Sequence, residues 1–156
     1  MMCYKLLSIR KNVAEINIGD YVQALASSQF YPQIDGFVER DELSLYNGEE
    51  CKMIMNGWYM AKPENWPPSD KIDPLFVAFH INSKVKDKML QPKSINYLKQ
   101  HEPIGCRDTY TRDLLKAKGV DAYFSGCMTL TLGQKYYSEE KEDKVYFVDP
   151  YFVTRW

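Results

Sequence analysis

Histidine, arginine and carboxylate side chains occur in short polar clusters, each directly after an apolar run of the sequence. The five clusters are Asn17–Asp20, Met55–Trp58, Phe79–His80, Gly105–Asp108 and Ser125–Thr129. An imidazole titrates near neutral pH and can act as a general acid or base, and a guanidinium binds carboxylate or phosphate through paired hydrogen bonds. Residues of these types could therefore serve in proton transfer or in anion binding.

Each cluster also has a structural interpretation. Gly19-Asp20 suits the first turn of a helix, where a carboxylate meets the positive end of the helix dipole. Asn56-Gly57 is typical of a tight turn, although Trp58 beside it favours a ligand because an aromatic face stacks on sugar rings. His80 ends an apolar run and could be a buried structural histidine. Arg107-Asp108 could simply cap the next helix.

Ser125-Gly126-Cys127 raises the alternative of a thiol nucleophile with His80 as its base. The G-x-S-x-G pattern is absent, and no third member of a triad is evident. The apolar neighbours of Cys127 predict a raised thiol pKa, which disfavours a nucleophile. Gly126 is expected where the backbone approaches a ligand closely.

Apolar runs alternate with amphipathic stretches along the chain, which is typical of an α/β fold with a mostly parallel sheet and flanking helices. The predicted strands are Tyr4–Ile9, Lys52–Met55, Leu75–Ile81, Pro103–Cys106, Asp121–Phe124 and Lys144–Val148. Helices are predicted from Gly19 to Phe30, from a Ser94 cap to His101, and from a cap at Asp108 or Thr109 to Lys118, with Gly119 as a left-handed terminator. The four prolines of Lys62–Pro74 predict a surface loop. In open parallel sheets, ligands bind beyond the carboxyl ends of the strands, where the five clusters fall.

Composition narrows the class of protein. The chain has 156 residues, which fits a single domain over 1–156, and its 45% apolar and 26% charged residues are ordinary globular values. A formal net charge of -1 predicts no nucleic-acid partner. Four scattered cysteines predict neither a zinc site nor a disulfide framework, and no apolar run reaches transmembrane length. The expected location is cytoplasmic, with a peripheral membrane association left open.

Taken together, five segments resemble the polysaccharide pyruvyl transferase family. They are NIGDYVQALASSQF (Asn17–Phe30), IMNGWYM (Ile54–Met60), FVAFHIN (Phe76–Asn82), PIGCRDTYTRDLL (Pro103–Leu115) and YFSGCMTLTL (Tyr123–Leu132). The resemblance implies transfer of a pyruvyl group from phosphoenolpyruvate to two sugar hydroxyls as a cyclic ketal in exopolysaccharide synthesis. It also implies a Rossmann-like domain that forms one lobe of a glycosyltransferase-B-type protein.

The resemblance implies roles for the clustered residues. His80 is the expected base, with Asp20 as the alternative, and Arg107 is the expected contact of the anionic donor. The expected saccharide contacts are Asn17, Gln23, Asn56 and Trp58, and the rest of the substrate surface is Gly19, Gly57, Asp108, Ser125, Gly126 and Thr129. Phosphoenolpyruvate is the implied co-substrate, with no metal or organic cofactor, and the acceptor is a sugar or lipid-linked saccharide.

The sequence departs from the family pattern at its end, because Trp156 follows Val145–Asp149, where the second lobe is expected to begin. We therefore expect the chain to be an N-terminal lobe, inactive alone, that pairs with a second lobe or self-associates. The alternative is a non-catalytic carbohydrate-binding, nucleotide-sugar-binding or interaction module that retains the fold.

Overall fold

The computed structural model describes residues 2–8, 18–59 and 61–145 of the chain. Within these ranges, parallel strands alternate with helices, which confirms the predicted α/β class with a mostly parallel sheet and flanking helices. The strands are β1 (Cys3–Ser8), β2 (Gly36–Glu39), β3 (Cys51–Ile54), β4 (Ile72–Leu75), β5 (Ile104–Cys106) and β6 (Ala122–Phe124). The α-helices are α1 (Ile18–Ser28), α2 (Lys86–Met89), α3 (Pro92–Gln100) and α4 (Thr109–Lys116), and 3₁₀ turns occupy Arg40–Leu45, Pro63–Asn65 and Met128–Gln134.

The strands form two parallel sheets, in the orders β2-β1-β3-β4 and β5-β6. Residues after β4 connect them, since Phe79 N–H donates to the Gly105 carbonyl and Arg107 N–H to the Phe79 carbonyl, both at 2.9 Å. The carboxyl ends of the strands consequently lie along one edge. The connection from β1 leads to β2 on one side and later strands extend on the other, so the strand order reverses between β1 and β3. Ligands of open α/β sheets bind at such a reversal.

One residue interrupts the extended segment that continues from the end of β4 toward His80. Ala78 has a left-handed φ of 57°. Phe76 and Phe79 both pack in the larger core, whereas Val77 and Ala78 pack together in a smaller apolar cluster on the other side. The predicted strand Leu75–Ile81 is therefore wrong at its start, because β4 begins at Ile72. It is also not continuous, because regular pairing ends at Leu75.

The side chain of Ser125 bridges this interruption. Its hydroxyl accepts a hydrogen bond from Ala78 N–H at 3.0 Å and donates to the Cys106 carbonyl at 3.1 Å. Buried backbone polar groups must find partners, and a hydroxyl can be donor and acceptor at once. Ser125 thus replaces a main-chain bond that the turned residue cannot make.

The larger core is rich in aromatic rings. Trp66 stacks on Phe79 at a centroid distance of 5.5 Å and meets Phe76 edge-on at 6.3 Å. The predicted surface loop Lys62–Pro74 is accordingly wrong, since Trp66 is 9% exposed and the loop's last residues belong to β4. Pro74 is tolerated because β3 is the only described neighbour of β4 at this point, and a strand edge can lose one N–H donor.

Helix boundaries were predicted with mixed success. Asp108 caps α4 by accepting from Thr111 N–H at 2.8 Å, and Gly119 has the expected left-handed φ of 73°. The predicted Ser94 cap is wrong, because Gln91 precedes α3, Pro92 begins it and Ser94 is buried within it. Proline suits a first helical position, where its missing N–H would have no partner.

The other strand predictions have different outcomes. β1, β3, β5 and β6 lie within one or two residues of their predicted bounds. β2 was not predicted. Lys144 and Val145 are not in a strand, and the rest of the predicted strand Lys144–Val148 lies outside the described residues.

Gly105 is expected to tolerate no side chain. A Cβ there would lie 2.8 Å from the Tyr123 hydroxyl and 2.9 Å from the Phe76 carbonyl oxygen, which cannot move without breaking the join between the sheets. We expect Gly105→Ala to lower the free energy of unfolding by about 1–3 kcal/mol in urea denaturation. Gly133→Ala is the control, because a Cβ at Gly133 meets nothing within 4 Å. Equal stability of the two variants would contradict the proposed steric constraint.

Candidate functional site

A buried ion pair lies where the strand order reverses. Asp20, in the first turn of α1, is 6% exposed, and Arg40, directly after β2, is 2% exposed. Arg40 Nη1 lies 3.4 Å from Asp20 Oδ2, and Arg40 Nε lies 3.3 Å from Asp41 Oδ1. The Arg40 guanidinium also lies 5.4 Å from the centroid of the Trp58 ring. The two carboxylates and the ring compensate for the loss of water around the buried cation.

Arg40 was not among the predicted site residues. Its strand, β2, was missed, so nothing marked Arg40 as a residue at a carboxyl end. Arg40 Nη2 is buried and has no hydrogen-bond partner among the residues that the structure describes. A small cavity adjoins it, lined by Leu7, Asp20, Gln23, Ala24, Arg40, Asn56 and Gly57.

Gln23 connects three elements of this edge. Asn56, 1% exposed, donates from Nδ2 to the Gln23 carbonyl at 2.8 Å. With its amide nitrogen turned toward the Asn56 carbonyl, 3.0 Å away, Gln23 accepts through Oε1 from Arg107 Nη1 at 3.3 Å. The structure thus brings together three of the predicted contacts from α1, β3 and β5.

Gly57 is required for close packing at this point. A Cβ at Gly57 would lie 2.8 Å from Leu7 Cδ2 and 3.0 Å from the Tyr59 ring. Its N–H donates to the Tyr59 hydroxyl at 3.2 Å. The Asn56-Gly57 dipeptide consequently places Trp58 at the strand end, where Trp58 pairs with His80 as an isolated parallel bridge.

His80 and Asp108 form the second polar centre. His80 Nδ1 lies 2.5 Å from Asp108 Oδ2, and their side chains are 19% and 33% exposed. Thr111 donates to the same carboxylate twice, from its N–H to Oδ1 at 2.8 Å and from its hydroxyl to Oδ2 at 3.1 Å. Burial opposes ionisation of Asp108, but the hydrogen bonds from Thr111 and His80 outweigh it and lower the pKa of the carboxyl below its ordinary value.

The local fold explains this pairing. β5 ends at Cys106, and extended backbone at Asp108 (φ −140°, ψ 161°) starts α4 with a side-chain cap. The same carboxylate therefore serves as helix cap and as imidazole partner. The sequence offered two interpretations of Asp108, a helix cap and a part of the substrate surface, and neither linked it to His80. The structure brings the two side chains into contact.

The Ser125–Thr129 cluster follows β6. Cys127 Sγ lies 3.1 Å from Thr129 Oγ1, and no hydrogen bond among the described residues joins this cluster to His80 or Asp20. Gly126 has a φ of 73°, and a Cβ there would meet only Leu130 Cδ1 at 3.7 Å. Packing against the protein's own atoms therefore does not require glycine here, whereas the left-handed conformation does, and close approach of a ligand to the Gly126 backbone stays a prediction.

A mainly apolar cavity of about 290 Å³ adjoins this cluster. It is lined by Phe30, Ile54, Leu75, Val77, Ser125, Gly126, Cys127, Met128 and Thr131. Of the remaining predicted contacts, Gly19 lies in the first turn of α1 and is exposed, and Asn17 lies outside the described residues. The three cysteines Cys3, Cys51 and Cys106 are buried and unpaired.

Metal-binding clusters and membrane-spanning helices are both absent from the described ranges. No group of three or more histidine, cysteine or carboxylate residues there is arranged to hold a metal ion. No helix in those ranges combines the length and apolar character needed to cross a bilayer.

Comparison with known proteins identifies the family. The family model described as polysaccharide pyruvyl transferase matches residues 17–155, which is most of the chain. No curated protein and no solved structure matches significantly. The match includes the Asp20–Arg40 pair, the Gln23–Asn56–Arg107 contacts and the His80–Asp108 pair. The chain therefore belongs to the polysaccharide pyruvyl transferase family.

Proposed function

We propose that the protein takes part in transferring a pyruvyl group from phosphoenolpyruvate to two hydroxyls of a saccharide. In the balanced reaction, one hydroxyl oxygen bonds to the enol carbon that bears phosphate, and a proton converts the terminal methylene to methyl. The second hydroxyl oxygen then displaces phosphate at the same carbon, and its proton leaves with the phosphate. The product is a cyclic ketal, and family membership supports the saccharide acceptor.

The His80–Asp108 pair is the observation that carries this proposal. Ketal formation requires a base for a weakly acidic hydroxyl, and an imidazole backed by a carboxylate is suited to that task near neutral pH. The pair lies at the carboxyl edge, joined through the backbone to Trp58. Asp20, the alternative base, is buried in an ion pair with Arg40, which favours a positioning role for it.

Arg107 is the proposed contact for an anionic group of the donor. One guanidinium nitrogen is held by Gln23, while the side chain as a whole remains half-buried. A guanidinium fixed at one nitrogen keeps its other donors in a set direction at little cost in entropy. Trp58, whose ring contacts the Arg40 guanidinium, is the proposed stacking surface for the saccharide.

We further propose that this domain is one lobe of a glycosyltransferase-B-type protein that works in the cytoplasm on a lipid-linked saccharide of an exopolysaccharide pathway. An apolar stripe on α1 supports a partner lobe, because Ile18, Tyr21 and Leu25 are 71%, 48% and 45% exposed at helical spacing. α1 also begins at the candidate site. Exposed apolar surface of this kind is typical of interaction faces.

Phosphate release coupled to ketal formation tests the proposal. The purified chain, alone and joined to a second lobe from a family member, is incubated with phosphoenolpyruvate and a panel of oligosaccharides, and phosphorus and proton NMR follow phosphate and the ketal methyl group. We expect equal amounts of both products from the two-lobed form only. Turnover by the chain alone would overturn the single-lobe proposal. Saccharide binding without ketal in either form would favour a non-catalytic module.

A further inference from the structure

The hydrogen bonds around His80 determine where its protons lie. Ile81 N–H donates to Thr111 Oγ1 at 3.2 Å, so this oxygen already accepts a hydrogen bond from the backbone. Its hydroxyl proton is then directed to Asp108 Oδ2, 3.1 Å away, which is nearer than His80 Nδ1 at 3.5 Å. Thr111 is fully buried, so water does not reach its hydroxyl.

The same arrangement leaves Asp108 as an acceptor only. Oδ1 accepts from Thr111 N–H and Oδ2 accepts from the Thr111 hydroxyl. An ionised carboxylate has no proton to give, so the short contact between Oδ2 and His80 Nδ1 requires that Nδ1 carry the hydrogen. In a neutral imidazole with a proton on Nδ1, the lone pair must lie on Nε2.

We infer that Asp108 and Thr111 are positioning residues that hold neutral His80 as its Nδ1–H tautomer and leave Nε2 to exchange a proton with the saccharide hydroxyl. No hydrogen bond to Nε2 is made by any residue within the described ranges. As the hydroxyl oxygen bonds to the enol carbon, its proton passes to the Nε2 lone pair, and Asp108 stabilises the resulting imidazolium. This assignment rests on the proposed function for its role in catalysis but not for its geometry.

The chain supplies its own reference for this inference. His101 is the only other histidine in the sequence, and its Nδ1 lies 2.8 Å from the Tyr97 carbonyl oxygen. A carbonyl oxygen can only accept, so His101 is also assigned as the Nδ1–H tautomer. Asp108 takes no part in that bond.

Long-range proton–nitrogen NMR of the full ¹⁵N-labelled chain tests the inference without substrate. The native protein is expected to show the Nδ1–H tautomer at both rings when they are neutral, with His101→Asn assigning the two signals. In Asp108→Asn, Oδ1 can keep the cap while an amide nitrogen faces Nδ1. His80 is therefore expected to switch to Nε2–H while His101 stays unchanged. Thr111→Ser keeps the hydroxyl and should keep the native pattern.

The outcomes separate this inference from the proposed function. An Nε2–H tautomer of His80 in the native chain would overturn the inference, with no variant needed. A folded Asp108→Asn protein whose His80 tautomer does not switch would do the same. If the tautomers are as expected but the two-lobed protein forms no ketal, the positioning role of Asp108 and Thr111 stands as geometry and the proposed function fails.

Discussion

Replacing His80 by glutamine is expected to lower the rate constant for ketal formation by about 10²–10⁴-fold, the range typical of a lost general base. Glutamine fills similar space and can donate to Asp108, so the fold and saccharide binding should survive. The reduction should therefore appear mainly in kcat, with KM changing little. The assay is phosphate release coupled to ketal formation in the two-lobed form.

His101→Gln is the matched control for this prediction. It removes the other imidazole, which packs against the Tyr97 ring at 4.5 Å and bonds its carbonyl, away from the His80–Asp108 pair. We expect it to leave kcat unchanged. Similar losses of kcat in both variants, or a loss confined to KM in His80→Gln, would argue against His80 as the base.

The second large effect is expected at Arg40. Arg40→Met removes the buried cation that contacts Asp20, Asp41 and the Trp58 ring. Breaking a buried ion pair from one side commonly costs about 3–5 kcal/mol, and we expect a loss of that order in the free energy of unfolding. Arg40→Lys should recover only part of it, because one ammonium cannot reach Asp20 and Asp41 with the same planar geometry.

An exposed pair provides the comparison for Arg40. Arg112 Nε lies 2.7 Å from Asp113 Oδ1, but their side chains are 32% and 63% exposed. Ion pairs exposed to water contribute little to stability because solvent screens them, so Arg112→Met should change the free energy of unfolding little. Urea denaturation of both variants would test the contrast. Comparable losses at the two positions would show that burial of Arg40 does not decide its contribution.

Hydrophobic periodicity predicted most of the fold because the central strands are apolar and bounded by clear breaks. It failed where the spacing of apolar residues does not decide the structure. β2 has only two apolar residues, Phe37 and Val38, and because they are adjacent, with Phe37 65% exposed and Val38 4% exposed, they gave no run or alternation that marks a strand. The prolines around Trp66 suggested surface, yet extended proline-rich backbone can also carry a ring into a core.

The candidate site was predictable as a set of residues and not as a set of pairs. His80 and Asp108 were both singled out, but they are 28 positions apart, and only the parallel arrangement after β4 and beside β5 brings them together. Arg40 could not be recognised as a site residue because its position depends on β2, which was not predicted. Ser125 was predicted as a substrate contact, but the sequence did not predict its structural role, the hydrogen bonds of its hydroxyl with Ala78 and Cys106.

In a regular strand, the position of a residue along the chain decides the face on which its side chain lies. The left-handed residue Ala78 breaks this relation. Phe76 and Phe79 share the core face although three positions part them, so Ala78 acts as a one-residue spacer. Deleting Ala78 would restore strict alternation and keep Phe79 in the core and His80 on its present side. Deleting one residue from a regular strand would instead turn every later side chain to the opposite face. Length variation among relatives can thus enter the chain here while the imidazole keeps its side of the sheet.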